Sequence, residues 1–445
     1  MFITIKITQC LTNVYHNLLS MLPYAGCKFA VSRVYNNWFS MSWSSQKTQA
    51  HDVSETEQTI LFSSQSSHPS LQYSPNPNLS PCLYQCTATL KGNSFYVSSL
   101  TVDGDSLYIA SSDGHIRLWP LDMAMDAQRA ELSSSTVAVT NSSIKCVIAT
   151  GNGLVSSHQD GKIRVWHAPR RNGSCGHLAL RAVLPTAVDC LRTFLFPGNY
   201  VEVRRHRKRT WVHHVDAVTA LALSPDGAEM YSVSWDRSLK VWRLPSLRCA
   251  QSVSAAHGDA LNAVAVSADG HVFTGSADGT VKAWRRGPGQ RKLALVGTME
   301  RHKAAVNALA VGVGGTVLYS GACDRSVVVW EYCAGGGMAA AAATLRGHTK
   351  AVLCLAAAGD VVCSGSADRT VRVWRRGAAE AGYTCLAVLD GHAGAVKSLA
   401  LVRKSGGDHD DGPCDGCCSA AHVCSGSLDC DVKIWRVTIS CLRVP

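Results

Sequence analysis

Long apolar runs are missing from this 445-residue chain. No stretch approaches the roughly 18 consecutive apolar residues that a membrane-spanning helix needs, so no such span is expected. Phe is scarce, with 8 residues against 37 Gly, while Ser and Val are plentiful. That balance suits many short strands joined by turns. The phosphate-binding Walker loop, the His-Glu-x-x-His zinc motif and the Gly-x-Ser-x-Gly elbow are all absent, so catalysis gets little support. Acidic residues are absent before Asp52, although Lys6, Lys28, Arg33 and Lys47 stand in that stretch. An acid-poor, Ser-bearing start raises an organellar transit peptide, but Arg enrichment and a clear amphipathic period are missing. MFITIKITQ also lacks the basic start and unbroken apolar core of a secretory signal. Residues 44–81 are rich in Ser, Gln, Asn and Pro, and residues 1–81 read as a disordered leader.

What is present is an unusual number of cysteines, 19 in all. Cys323, Cys354, Cys363 and Cys424 fall where strands are expected and read as small hydrophobes, which points to a reducing compartment. The net charge is +11, and much of it is clustered, so the total does not by itself argue for nucleic-acid binding.

The chain is organised around one recurring shape, typified by YSVSWDRSLKVW at 231–242. Seven copies place Asp six residues before Trp: Asp113–Trp119, Asp160–Trp166, Asp236–Trp242, Asp278–Trp284, Asp324–Trp330, Asp368–Trp374 and Asp429–Trp435. Each reads as two strands and a tight turn headed by the Asp, whose carboxylate can bond the amides of its own turn. The Trp-to-Trp steps are 47, 76, 42, 46, 44 and 61, a period in the mid-forties with two insertions. A period of ~40–45 residues with four strands per unit is that of a propeller blade. A His precedes five of the pairs: His214, His257, His302, His348 and His392.

These motifs resemble the WD-repeat family over about residues 82–440. The resemblance implies an all-β, seven-bladed WD-repeat β-propeller. CLYQCTATL (82–90) has no Asp–Trp unit ahead of it, and ring closure makes it the outer strand of the last blade. The resemblance further implies a hydrogen-bonded tetrad in each blade, with a hydroxyl four residues before the Asp. The sets are His214, Ser232, Asp236 and Trp242; His257, Thr274, Asp278 and Trp284; His302, Ser320, Asp324 and Trp330; His348, Ser364, Asp368 and Trp374; and His392, Ser425, Asp429 and Trp435. Blade one has Ile109 at the hydroxyl position and no His near Gly92. Blade two keeps Ser156 but has no His around residue 139, so both tetrads are expected to be incomplete and these blades less rigid.

Two insertions interrupt the period. The first, 185–213, joins an outer strand to the next inner strand and carries Arg204, Arg205, Arg207, Lys208 and Arg209. This run reads as a solvated loop, a nuclear import signal, or a nucleic-acid or anionic-lipid patch. With SPNPNLSPCLYQC and SVSWDRSLKVW, the segment resembles the plant JINGUBANG-like branch of the family. The second insertion, 403–420, is acidic and Gly-rich and emerges on the opposite face. Its His409, Cys414, Cys417 and Cys418, with His422, resemble half a zinc site without a second spaced pair. The reading is an inert thiol-bearing loop, and no metal or cofactor is implied.

The expected function is a non-enzymatic scaffold that binds other proteins or peptides on one propeller face. The recurring Ser, His and Asp read as structural, because an active site would not repeat at identical spacing. Trp235 is set apart, since an aromatic just before the turn Asp either packs on the neighbouring insertion or serves as a partner hot spot. Arg237, Arg325, Lys350 and Arg369 share its rim. The resemblance implies a plant regulatory protein, monomeric, in nucleus and cytoplasm. The alternatives are a ubiquitin-ligase substrate receptor, which needs an adaptor-docking motif not visible in residues 1–80, and an RNA- or chromatin-associated propeller acting through the basic loop.

Overall fold

Small and β-branched residues alternating up to a turn Asp form a strand, and the run behind it returns antiparallel. In the third unit Glu229–Ser234 pairs with Leu239–Arg243, with Tyr231 opposite Val241. The residue after the Asp takes a left-handed backbone. It is glycine at Gly114, Gly161 and Gly279, but Arg237 (φ 65°), Arg325 (φ 69°), Arg369 (φ 74°) and Cys430 (φ 72°) in the other blades.

The structure, a computed structural model, describes residues 72–73, 82–91, 93–121, 135–167, 177–194, 200–204, 207–287, 289–312, 315–332, 340–377, 382–403 and 419–439. Each Asp–Trp hairpin gains an inner strand before it and an outer strand after it. The third blade runs Val218–Leu223, Glu229–Ser234, Leu239–Arg243 and Arg248–Val253. Seven such sheets are present among the described residues. Neighbouring inner strands contact one another all the way round, so the fold is a closed seven-bladed β-propeller.

Closure follows the sequence expectation. Cys82–Leu90 pairs antiparallel with Val432–Ile439, from Cys82 opposite Ile439 to Leu90 opposite Val432. Pairing the two ends of the propeller leaves no open seam between first and last blade. One detail differs from the reading of everything before residue 82 as leader. Gln72–Tyr73 pairs with Leu83 and Tyr84 and adds a fifth strand to the last blade. The remainder of 1–81 lies outside the described residues.

The core is a set of blade-to-blade seams. Each inner strand begins with a fully buried apolar residue: Val97, Ile144, Val218, Leu261, Val306, Val352 and Val396. Four of these face a glycine in the middle strand of the preceding blade. A Cβ at Gly275, Gly321, Gly365 or Gly426 would lie 2.8, 2.6, 2.7 or 2.5 Å from the Cγ1 of Val306, Val352, Val396 or Val97. Close approach of the backbone, not a turn, is therefore what requires glycine here.

The first insertion is more ordered than a loop. After the outer strand Ala179–Leu184 comes a helix, Ala187–Phe194, with Thr186 accepting a 3.2 Å bond from the Asp189 N–H. A hairpin of Tyr200–Arg204 and Arg207–Thr210 follows. The backbones of Arg204 and of Arg207, Lys208 and Arg209 thus lie in strands. Arg205 and the side chains of Arg204, Arg207, Lys208 and Arg209 lie outside the described residues. So does most of the second insertion, including His409, Cys414, Cys417 and Cys418. His422 is buried on the strand Ser419–Ser427.

Cys354, Cys363 and Cys424 are fully or nearly fully enclosed, and burial pushes each thiol up to about 12. Cys323 departs from the strand assignment: it follows the strand Val317–Ala322, half-buried on the turn. It occupies the slot before the Asp.

Candidate functional site: the tetrads and the turn-bearing face

The outer-to-inner connections and the Asp-headed turns lie at the same end of every blade. The histidine from the connection therefore meets the turn of its own blade. In blade three the Trp242 Nε1–H donates to Ser232 Oγ at 2.8 Å, and Ser232 meets His214 Nε2 at 2.7 Å. His214 Nδ1 lies 3.2 Å from Asp236 Oδ2 and 2.9 Å from Ser238 Oγ. One proton arrangement satisfies every group: Trp donates to Ser, Ser donates to His Nε2, and the His Nδ1–H donates to Asp.

The other four sets come together in the same way. The Trp–hydroxyl bonds are 2.9, 2.8, 2.9 and 2.9 Å for Trp284–Thr274, Trp330–Ser320, Trp374–Ser364 and Trp435–Ser425. The His–hydroxyl separations are 2.8 Å at His257, His302, His348 and His392. The His–Asp separations are 3.1, 2.9, 2.8 and 2.9 Å to Asp278, Asp324, Asp368 and Asp429.

Burial lowers the His214 imidazole against the opposing pull of Asp236, so it is neutral at pH 7. Burial alone would raise Asp236. Hydrogen bonds from His214, Ser238 and the Val215 N–H outweigh it and hold the carboxyl well below its ordinary range. A neutral imidazole held between a hydroxyl and a carboxylate resembles a catalytic relay. Here each hydroxyl is fully buried and spends its own proton on the imidazole, so these sets fasten blades.

Blade two lacks the full tetrad, as expected, but a histidine from inside the blade restores part of the network. His158, on the strand Gly153–His158, lies two residues before the turn Asp160. Its Nε2 sits 2.8 Å from Ser156 Oγ, which also accepts the Trp166 Nε1–H at 2.8 Å. Its Nδ1 reaches the Ser142 carbonyl at 3.2 Å instead of an Asp. Asp160 is left to pair with Arg164 at 2.8 Å. The Trp–Ser–His relay is thus intact, with the histidine supplied from inside the blade. The sequence signal was a His where every other blade has Ser or Ala: Ser111, Ser234, Ser276, Ala322, Ser366 and Ser427.

Blade one is incomplete, as expected. Asn93 stands near the missing His and accepts from Arg117 at 3.1 Å, while Arg117 also donates to Ser111. With Ile109 at the hydroxyl slot, the buried Trp119 Nε1–H has no acceptor among the described residues. Ile109→Thr should supply one. The exchange should cost under about 1 kcal/mol, against about 2–4 kcal/mol for Ile116→Thr, where a buried hydroxyl gains no such donor. Urea unfolding of the two variants compares them directly.

The turn-bearing face holds the other candidates. Arg237, Arg325, Arg369 and Lys350 are exposed. None of their charged groups makes a hydrogen bond or ion pair among the described residues. Trp235 is half-buried, and Lys145 Nζ lies 5.5 Å from its ring centroid. That cation–π contact with blade two was not among the readings of this Trp. Lys240 was also missed. It is 2 % exposed, and its Nζ bonds the Trp211 carbonyl at 2.5 Å and Ser252 Oγ at 2.6 Å, tying the insertion's end to blade three. Among the described residues no group of three or more His, Cys, Asp or Glu is placed to hold a metal ion.

A closed ring of seven blades, fastened by repeated Trp–hydroxyl–His relays, defines a β-propeller. The family model for the WD domain, G-beta repeat, matches residues 84–120, 205–243, 248–285, 293–331, 341–375 and 383–436, and the chain belongs to that family. Blade two, with its rebuilt relay, falls outside those spans.

Among curated relatives, WD repeat-containing protein 90 of Mus musculus is 22% identical over 243 residues, covering 55% of this chain and 11% of that protein. Striatin-4 of Homo sapiens is 23% identical over 212 residues, covering 44% of this chain and 28% of that protein. Actin-interacting protein 1-2 of Arabidopsis thaliana is 28% identical over 257 residues, covering 55% and 38%. The chain thus spans well under half the length of these relatives. The WD40 β-propeller domain of Doa1 aligns with a TM-score of 0.54 at 22% identity, over 79% of this chain and 96% of that one, a likeness of fold.

Proposed function

We propose that the chain is a non-enzymatic scaffold whose turn-bearing face receives partner proteins or peptides. One observation carries this reading. Arg237, Arg325 and Arg369 hold left-handed backbones where three other blades use glycine, and their side chains are exposed. A left-handed non-glycine residue costs about 1 kcal/mol, and none of these charged groups makes a hydrogen bond or ion pair among the described residues. Side chains kept at such a cost are available to a partner, and arginine is enriched in interface hot spots. The half-buried Trp235 supplies the aromatic part of the same face. WD-repeat propellers generally bind other proteins, which supports the reading.

The finer reading is a plant regulatory protein of the JINGUBANG-like kind, signalling- or transcription-associated, monomeric, and present in nucleus and cytoplasm. It rests on the resemblance carried by SPNPNLSPCLYQC, the insertion 185–213 and SVSWDRSLKVW, and on the basic run 204–209 as an import signal.

Affinity purification with mass spectrometry tests the scaffold, comparing wild type with Trp235→Ala and with Arg237, Arg325 and Arg369 all changed to Gly. Both variants should lose specific partners. The arginine variant should melt at or slightly above the wild-type temperature, because strain is relieved. An undiminished partner set in both variants would rule this face out.

A further inference from the structure

The insertion after blade two sets a helix against the outer strand of blade three. The helix Ala187–Phe194 is fastened through its polar side. The Asp189 carboxylate, 7% exposed, accepts the Cys249 N–H of that outer strand at 3.2 Å, and Cys190 Sγ lies 3.5 Å from His213 Nε2. Helical residues three apart share a face, so Val188 and Leu191 lie together on the other side. They are 56% and 59% exposed. The usual amphipathic order is reversed, with a carboxylate turned to the blade and two aliphatic side chains turned to solvent.

The charge beside this face is almost all of one sign. The helix is in contact with the second hairpin strand, which opens on Arg207, Lys208 and Arg209, and Arg204 ends the first strand. Across 185–213 the acids are Asp189 and Glu202 alone. Asp189 is engaged by Cys249, and Glu202 stands opposite Lys208 in the hairpin. Unmatched basic residues therefore stand next to an exposed apolar pair, on the outer rim of blade three.

We propose that this rim docks the protein, peripherally and reversibly, on an anionic phospholipid surface. Val188 and Leu191 enter the boundary between headgroups and acyl chains, and the basic hairpin is drawn to the anionic headgroups. A bilayer interface takes apolar and basic groups side by side. Nucleic acid, bound through phosphates and stacked bases, would leave the aliphatic pair without a contact. A partner protein would find two apolar side chains on an eight-residue helix, far less area than a stable protein interface buries. A membrane needs no matching groove and adds the attraction of many headgroups to that small apolar area. The docking goes beyond the scaffold reading and does not rest on the turn-bearing arginines.

The test pellets the full chain with sucrose-loaded vesicles of phosphatidylcholine, alone or with about one-third phosphatidylserine, at about 0.1 M salt. The chain should pellet with the phosphatidylserine vesicles and stay in solution with phosphatidylcholine. Changing Val188 and Leu191 together to Ser should weaken the partition about tenfold or more. Changing Arg207, Lys208 and Arg209 together to Gln should weaken it about a hundredfold. Leu295 and Val296, an exposed apolar pair on the outer strand of blade four, serve as control, and their change to Ser should leave the partition as it is. The Val188/Leu191 variant should melt with the wild type, because both side chains are already in solvent.

Absence of pelleting with phosphatidylserine, or equal pelleting with both vesicle types, overturns the proposal. So does full binding by the Val188/Leu191 variant, or an equal loss in the blade-four control. Inorganic phosphate that abolishes pelleting, at ionic strength matched with chloride, points to a discrete anion site and overturns the lipid assignment. Polyglutamate or duplex DNA held more tightly than the vesicles makes an acidic protein or nucleic acid the occupant and overturns it too. None of these results bears on partner capture through Arg237, Arg325 and Arg369, so failure here leaves the scaffold reading separately testable.

Discussion

Ser232→Ala should destabilise the propeller by about 2–5 kcal/mol, although it removes one oxygen atom. That oxygen is the middle of a relay: it accepts the Trp242 Nε1–H at 2.8 Å and meets His214 Nε2 at 2.7 Å. Its loss leaves a buried donor and a buried acceptor without partners at once. Each such group costs about 1–3 kcal/mol, because no water reaches it to take over. Ser232 itself has no exposed surface, and Trp242 is 1 % exposed.

The control is Ser232→Thr, since blade four already uses Thr274 in the same role, with bonds of 2.9 Å from Trp284 and 2.8 Å to His257. Threonine should retain most of the stability that alanine loses. Urea unfolding followed by tryptophan emission measures both. Equal losses for Ala and Thr would mean that packing, and not the relay, sets the cost. A loss under about 0.5 kcal/mol for Ala would place Ser232 among ordinary surface substitutions and sink the account of blade fastening.

The relays of blades three to seven were legible because they depend on offsets inside one repeat: Ser232 to Asp236 to Trp242, with His214 one strand upstream. A fixed spacing along the chain becomes a fixed geometry in the fold. The closing strand Cys82–Leu90 was legible for a related reason, because an unpaired alternating run at one end matched a missing outer strand at the other. His158 was not read, although its position was visible. In the later blades the histidine stands in the connection, whereas in blade two the strand itself delivers the same ring.

The helix Ala187–Phe194 was also missed. Its opening Thr186-Ala-Val-Asp189 is a capping signature, but eight residues are too few to show a period. The hairpin after it was hidden because a charge run reads as solvated loop, while Tyr200–Arg204 alternates well enough to pair.

Acid should unfold this propeller in two separate stages, the first driven by histidines. Burial lowers the His158 imidazole to about 4, from an ordinary value near 6.5, and lowers His214 and His257 in the same direction. In the unfolded chain these imidazoles bind protons as pH falls through about 6.5, while in the folded chain they stay neutral. The unfolded state then holds more protons, so stability falls as pH falls. For His158 the loss runs from about pH 6.5 down to about 4 and totals about 3 kcal/mol, at about 1.4 kcal/mol per pH unit.

The carboxylates act later. Asp236 is held well below the ordinary carboxylate value, so its contribution is complete above about pH 4 and is lost only as pH falls further. Urea midpoints measured from pH 8 to 4.5 at constant ionic strength should therefore be flat above pH 7 and decline below 6.5, before any tetrad carboxylate titrates. His158→Gln should be less stable at pH 7, because the Ser156 relay is disturbed, yet its slope below pH 6.5 should be shallower by up to one proton. A wild-type midpoint unchanged between pH 7 and pH 5 would show that the buried imidazoles take up protons in the folded chain over the same pH range as in the unfolded one. The relay from Trp through hydroxyl to imidazole would then need the opposite proton order.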